Sequence, residues 1–218
     1  MDGPTFWTMA ILASVFVGLS KGGLPVIGML AVPVLALVVP PVMAAGLLLP
    51  VYVASDMIGL YAYRRAFDAR VLKILVPATT LGVALGWATA SVVPEALVTG
   101  LVGLIGAVFA LNLLIRRRAP APARRAGVAA GGFWGVLTGF TSFVSHAGAP
   151  PYQVYVLPLG LEKMVFAGTS TILFAYVNAI KLVPYWALGQ LSAQNLRAAA
   201  LLAVPAGLAV LAGVRLVG

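Results

Sequence analysis

Two short stretches of this 218-residue chain hold most of the side chains able to do chemistry. The first, FVGLSKGGLPVIGMLAVP, contains Ser20, Lys21, Gly22 and Gly23. The second, VLTGFTSFVSHAGAPPYQVYVLP, contains Ser142, Ser145, His146, Gly148, Tyr152 and Gln153. In both, glycines release the backbone from helical angles and a proline follows that suits the first turn of a new helix. Each stretch therefore reads as a helix end, a tight turn and a helix start, near Pro25 and near Pro150. A helix start presents unpaired N–H groups and the positive end of a dipole, both of which attract anions. Lys21 adds a full positive charge. The chemistry expected is anion binding.

Bond-making chemistry has little to draw on. The chain has five acidic residues, one histidine and no cysteine. Asp2, Asp68, Glu95 and Glu162 fall in loops or at segment ends, and Ser145 and His146 are adjacent, which on a helix points them apart. No nucleophile, base and orienting acid can be assembled from that supply, so an enzyme is not expected. A multi-histidine or cysteine metal site is excluded, and no cofactor is expected. With no Walker-type phosphate loop, ATP hydrolysis is unsupported, leaving an ion gradient or the membrane potential as driving force.

Three further polar residues lie inside apolar runs: Asp56, Asn178 and Lys181. Intramembrane acids are usually functional. Asp56 would bind a coupling proton or sodium ion, or neutralise a buried cation such as Lys181. His146 is a second candidate for coupling, with structural hydrogen bonding as the plainer reading. Lys21 belongs to the anion site unless the preceding helix crosses fully and leaves it at a surface. Lys181, towards the end of its helix, reads as a snorkelling lysine. Thr169, Ser170 and Thr171 would line a cavity or join helices. Gly82 and Gly86, like Gly100, Gly103 and Gly106, read as packing positions, and Trp7, Trp87 and Trp186 as interface anchors.

The elements that must position these residues follow from composition. Hydrophobic residues make up 62% of the chain, charged residues 9%, and mean hydropathy is +1.07. A soluble domain needs about 25% charged residues to face water, so this chain must face lipid. Long unbroken Leu, Ala, Val and Gly runs fit α-helices rather than alternating barrel strands. The net charge of +9 does not indicate nucleic acid, because the basic residues sit in short loops between apolar runs. Asp2, with no basic residue before the first run, does not read as the start of a cleaved signal peptide.

Nine apolar segments are predicted: Phe6–Ser20, Pro25–Val39, Val42–Tyr63, Val71–Val93 and Ala96–Ile115, then Val128–Ser145, Pro150–Leu161, Met164–Leu188 and Leu196–Val217. The two halves echo each other. Gly23-Leu24-Pro25 and Pro33 recur as Gly148-Ala149-Pro150 and Pro158, 125 residues later. Ala45-Gly46 matches Ala167-Gly168, and Asp56 falls opposite Asn178, at a spacing of 122. The chain thus divides into a first transmembrane repeat (1–118), a basic cytoplasmic linker (119–126) and a second repeat (127–218) that lacks a partner for Ala96–Ile115. Arg64, Arg65, Arg70 and Lys73 in one loop, and Arg116, Arg117, Arg118, Arg124 and Arg125 in another, place both loops in the cytoplasm and the N-terminus outside. That count turns the second repeat upside down. The expected fold is an all-α membrane protein, a polytopic helical bundle of inverted-topology repeats, each beginning with a short broken-helix (re-entrant-like) hairpin.

GLSKGGLPVIGMLAVP and GVLTGFTSFVSHAGAPPYQVYVLPLGLEKMVFAGTS resemble the two signature regions of the TauE/SafE sulfite exporter family. The SHAGAPP, YVLP and AGTS run is the more specific part, while Lys21-Gly22-Gly23 departs from the glycine triplet common in the family. The resemblance implies a secondary transporter in a bacterial-type cytoplasmic (inner) membrane. It would export small sulfur-containing anions, sulfite or sulfonates, as a homo-oligomer or alone. The residues expected at the substrate are Ser20, Lys21, Gly22, Gly23, Ser145, His146, Gly148, Tyr152, Gln153 and Asn178. An anion channel and a non-transporting accessory subunit are the alternatives.

Overall fold

The computed structural model describes residues 3–90 and 125–217, with single positions between them. Ala96–Ile115 and the arginines from Arg116 to Arg124 lie outside these residues, apart from isolated positions. So do Gly103, Gly106, Asp2 and Glu95. Among the described residues every regular element is helical: α1 (Pro4–Lys21), α2 (Ala31–Leu35), α3 (Pro41–Tyr63), α4 (Ala69–Thr89), α5 (Val128–Ser145), α6 (Ala149–Val156), α7 (Lys163–Ala187) and α8 (Ala193–Val217). Short 3₁₀ turns precede α2 at Ile27–Leu30 and follow α6 at Leu157–Leu159. Six of the helices, α1, α3, α4, α5, α7 and α8, are long and apolar enough to cross a membrane.

Polarity is inside out. Leu81, Val183, Trp186, Leu201, Val204 and Leu208 are exposed, while Ser14, Lys21, Asp56, Thr79, Thr138, Ser142, Asn178 and Lys181 are buried. Exposed apolar and buried polar side chains are what a lipid-facing bundle requires. The chain is an all-α, multi-pass membrane protein.

Helices α3 and α7 run antiparallel through the centre. Near one end Gly46 abuts Gln190; near the other Gly168 abuts Ala66 and Tyr63. Around them, contacts come in matched pairs. α1 packs on α8, and α4 on α5. α8 packs on α3, and α4 on α7. At the 122–125 residue spacing, α1 corresponds to α5, α3 to α7 and α4 to α8, so each contact in a pair is the counterpart of the other.

Glycine makes the tightest of these contacts. A Cβ on Gly18 of α1 would collide with the Ala206 carbonyl of α8, and one on Gly22 would lie 2.6 Å from the Gly213 Cα. In the matching pair, a Cβ on Gly82 would collide with the Val136 carbonyl, and one on Gly139 with that of Thr79. Lipid offers no hydrophobic drive for helix pairing, so close backbone approach must supply it. The packing reading of Gly82 and Gly86 holds: a Cβ on Gly86 would lie 2.7 Å from the Phe143 ring. Gly100 has no described neighbour within 4 Å of such a Cβ.

The two breaks differ in a way the sequence does not announce. After α1, Pro25 opens a turn and a 3₁₀ segment, and α-helix resumes only at Ala31. The helix that starts near Pro25 is 3₁₀, from Ile27, and not an α-helix. After α5 the chain turns within three residues into α6, with Pro150 and Pro151 in its first turn as expected. Pro25 is followed by Val26, where Pro150 is followed by a second proline, Pro151, that suits the first helical turn.

Candidate anion-binding site

Lys21 is the last residue of α1 and 3% exposed. Its Nζ lies 2.7 Å from Asp56 Oδ1 of α3, an ion pair within the bundle. The same ammonium lies 5.3 Å from the centroid of the Tyr52 ring and 5.7 Å from that of Phe174. Aromatic faces within about 6 Å attract a cation, more strongly where water is excluded. Tyr52 and Phe174 are themselves 122 residues apart, so corresponding positions of α3 and α7 supply one ring each.

The other carboxylate oxygen, Asp56 Oδ2, accepts a 2.8 Å hydrogen bond from the Asn178 side-chain amide. The match between these residues read from the sequence is thus a direct contact. Asp56 neutralises a buried cation, but the cation is Lys21 rather than Lys181.

His146 ends α5 in the left-handed region, at φ 56° and ψ 17°, where a Cβ is strained. It stands 125 residues after Lys21, the same spacing as the glycines beside them. The ring stacks on Tyr52 at 4.6 Å between centroids. Its Nε2 lies 3.1 Å from the Ala45 carbonyl, which only accepts, so Nε2 carries a proton. Nδ1 then accepts from Lys181 Nζ at 2.8 Å. Lys181 also donates to the Ser142 carbonyl at 3.0 Å and the Ser142 hydroxyl at 3.2 Å.

Lys181 is therefore not a snorkelling residue. It is fully buried, and its three N–H groups meet three neutral acceptors. Its distance from the helix end suggested the surface; Ser142 and His146, folded over from α5, hold it inside.

A small cavity lies among these groups at mid-length of α3 and α7, with Asp56 and Lys181 behind its lining. Ser20, Lys21, Tyr52, Ser142, His146, Ala149, Ser170, Thr171, Phe174 and Asn178 line it, with Pro25, Gly28 and Met29 closing one side. The centre of a water-sized sphere can move through about 30 Å³ of it. One water needs about 10–15 Å³ by that measure, so the cavity has room for a compact oxyanion.

The family model for the sulfite exporter TauE/SafE matches residues 10–218. The chain belongs to the TauE/SafE family. Comparison with curated proteins and with solved structures gives no match. TauE/SafE membership implies membrane transport of sulfur anions such as sulfite.

Of the substrate residues expected from the sequence, Ser20, Lys21, His146 and Asn178 border the cavity. The rest serve the walls. Gly22 gives its carbonyl to the Tyr63 hydroxyl at 2.7 Å, and Gly23 adopts φ 109°, open to glycine. A Cβ on Gly148 would press on the Thr138 carbonyl and the Phe174 ring. Tyr152 packs behind Phe174 at 5.4 Å, Ser145 turns back to the Thr141 carbonyl at 3.5 Å, and Gln153 is buried in α6. Tyr52 and Phe174 were missed, because aromatic residues in an apolar run look like core. Their shared spacing with Asp56 and Asn178 was the available signal.

Proposed function

We propose that this protein is a secondary transporter that carries small sulfur-containing anions across the bacterial cytoplasmic membrane by alternating access. The observation that carries this reading is the buried cluster of Lys21, Asp56 and Lys181 beside a compact cavity at the centre of the bundle. Buried charge is costly in a membrane and persists where it serves a pathway. The Ala149 end of α6 also reaches the cavity and turns the positive end of the helix dipole towards it; Pro150 and Pro151 carry no N–H, and the Tyr152 N–H donates to the Gly148 carbonyl.

The matched contacts support two repeats related by an axis between Asp56 and Asn178, in opposite orientation. Arg64, Arg65, Arg70 and Lys163 gather at one end of the bundle, and Arg197 lies towards the other. That excess favours a cytoplasmic face at the arginine end and an N-terminus outside. Export is the direction this reading takes.

Uptake of labelled sulfite and small sulfonates into proteoliposomes, with imposed proton and sodium gradients, tests it. Saturable, gradient-dependent movement supports a carrier. Flux rising linearly with voltage and without saturation would replace the carrier with a channel. No flux of any of these anions through folded protein would remove the transport reading.

A further inference from the structure

Lys21, Asp56, Lys181 and His146 are the only ionisable side chains of Lys, Arg, Asp, Glu or His buried among the described residues. Their contacts fix how charge is shared. Asp56 faces Lys21 at 2.7 Å, so one ammonium and one carboxylate cancel. His146 holds its proton towards the Ala45 carbonyl and offers a lone pair to Lys181, so the ring is neutral. Lys181 meets only neutral acceptors. With Lys181 as an ammonium, the cluster carries one positive charge in excess, placed where water is scarce. An uncompensated buried charge is strongly unfavourable until an opposite charge joins it.

Resting on the reading of this cavity as the transport site, we infer that the cluster selects anions by charge: it accepts a single negative charge, and Asp56 sets that limit. A singly charged sulfonate or hydrogen sulfite leaves the occupied site neutral. A dianion of the same shape leaves it one negative charge in surplus. Asp56 is thus a specificity-determining residue whose carboxylate removes one of the two lysine charges from the count, while Lys181, behind the Ser142 and His146 that line the cavity, supplies the uncancelled charge.

Methanesulfonate and sulfate separate charge from size, because both are tetrahedral about sulfur with five heavy atoms. Equilibrium binding of each to the detergent-purified full chain, and uptake of each into proteoliposomes, would be measured. Wild type should prefer methanesulfonate over sulfate by about tenfold or more, the scale of one unit charge at low effective dielectric. Asp56→Asn, with two uncancelled lysines, should shift that ratio towards sulfate by about tenfold. Lys181→Met should lose both anions, and the double variant Asp56→Asn/Lys181→Met should recover the wild-type preference by leaving Lys21 as the single charge. An unchanged ratio in folded Asp56→Asn overturns the inference while leaving transport standing. Should Asp56→Asn not fold, retained methanesulfonate binding in Lys181→Met overturns it equally. Wild type that binds and moves neither anion overturns both the inference and the transport reading.

Discussion

Tyr63 and Tyr185 make the same hydrogen bond at opposite ends of the bundle. The Tyr63 hydroxyl donates to the Gly22 carbonyl at 2.7 Å, and the Tyr185 hydroxyl to the Phe143 carbonyl at 2.6 Å. The two tyrosines are 122 residues apart and lie at or near the ends of α3 and α7. Each ties the last turns of a broken hairpin, or the break itself, to a central helix. On the Tyr185 side, a second cavity of about 250 Å³, lined by Ala45, Gly86, Phe140, Phe143, Tyr185 and Gln190, lies beyond the latch.

Loss of either hydroxyl should loosen one end only. A buried carbonyl left unpaired costs about 1–3 kcal/mol. Because the chain has no cysteine, Met29→Cys, which borders the central cavity, gives a single reporter. Tyr185→Phe should speed its reaction with an impermeant thiol reagent applied at the α7 C-terminal end. Tyr63→Phe should do so only from the arginine end. Equal acceleration from both sides would end the latch reading.

Removal of the Lys21 charge should uncover the carboxylate it neutralises. Lys21→Met strands Asp56 and should lower stability by about 3–5 kcal/mol, the usual cost of breaking a buried pair from one side. Lys21→Met/Asp56→Asn should recover much of that loss. Thermal unfolding in detergent reads the result, and full destabilisation in the double variant would contradict it.

His146→Gly separates strain from chemistry. Glycine accepts the left-handed backbone that costs another residue roughly 1–2 kcal/mol. The variant should end α5 without strain, yet lose the ring stacked on Tyr52 and the acceptor for Lys181. We expect a melting temperature near wild type and anion binding weakened by about tenfold, the scale of one lost hydrogen bond to a charged group. Wild-type affinity would place the ring outside the site.

Glycine positions should divide sharply. Gly18→Ala drives a methyl into the Ala206 carbonyl and should cost about 1–3 kcal/mol as overpacking. Gly132→Ala, on the same kind of helix but with nothing within 4 Å, should raise stability by about 0.4–1 kcal/mol. Parallel melting curves check both.

The lipid-facing class, the helical spans and the break after α5 were legible because composition, run length and the Pro150-Pro151 pair act locally. The family signatures were legible for the same reason. The first break was misread at Pro25 because one proline starts either a 3₁₀ turn or a helix, and packing against Ser20 and Tyr52 decides. The fate of Lys181 was hidden because Ser142 and His146, its partners, lie 39 and 35 residues away. The pairing of Asp56 with Asn178 was visible as a spacing, but no spacing says that counterparts touch.

That meeting has a further consequence. Were the counterparts identical, a carrier's states open to either side would be two-fold-related copies of equal energy, and it would dwell in each alike. Here Lys21 stands opposite His146, Asp56 opposite Asn178, and Gly59 opposite Lys181. Those differences, at and beside the central cavity, would lift the degeneracy. On the carrier reading proposed above, the empty protein has a resting side set by its own sequence, whichever way the gradients drive the cargo.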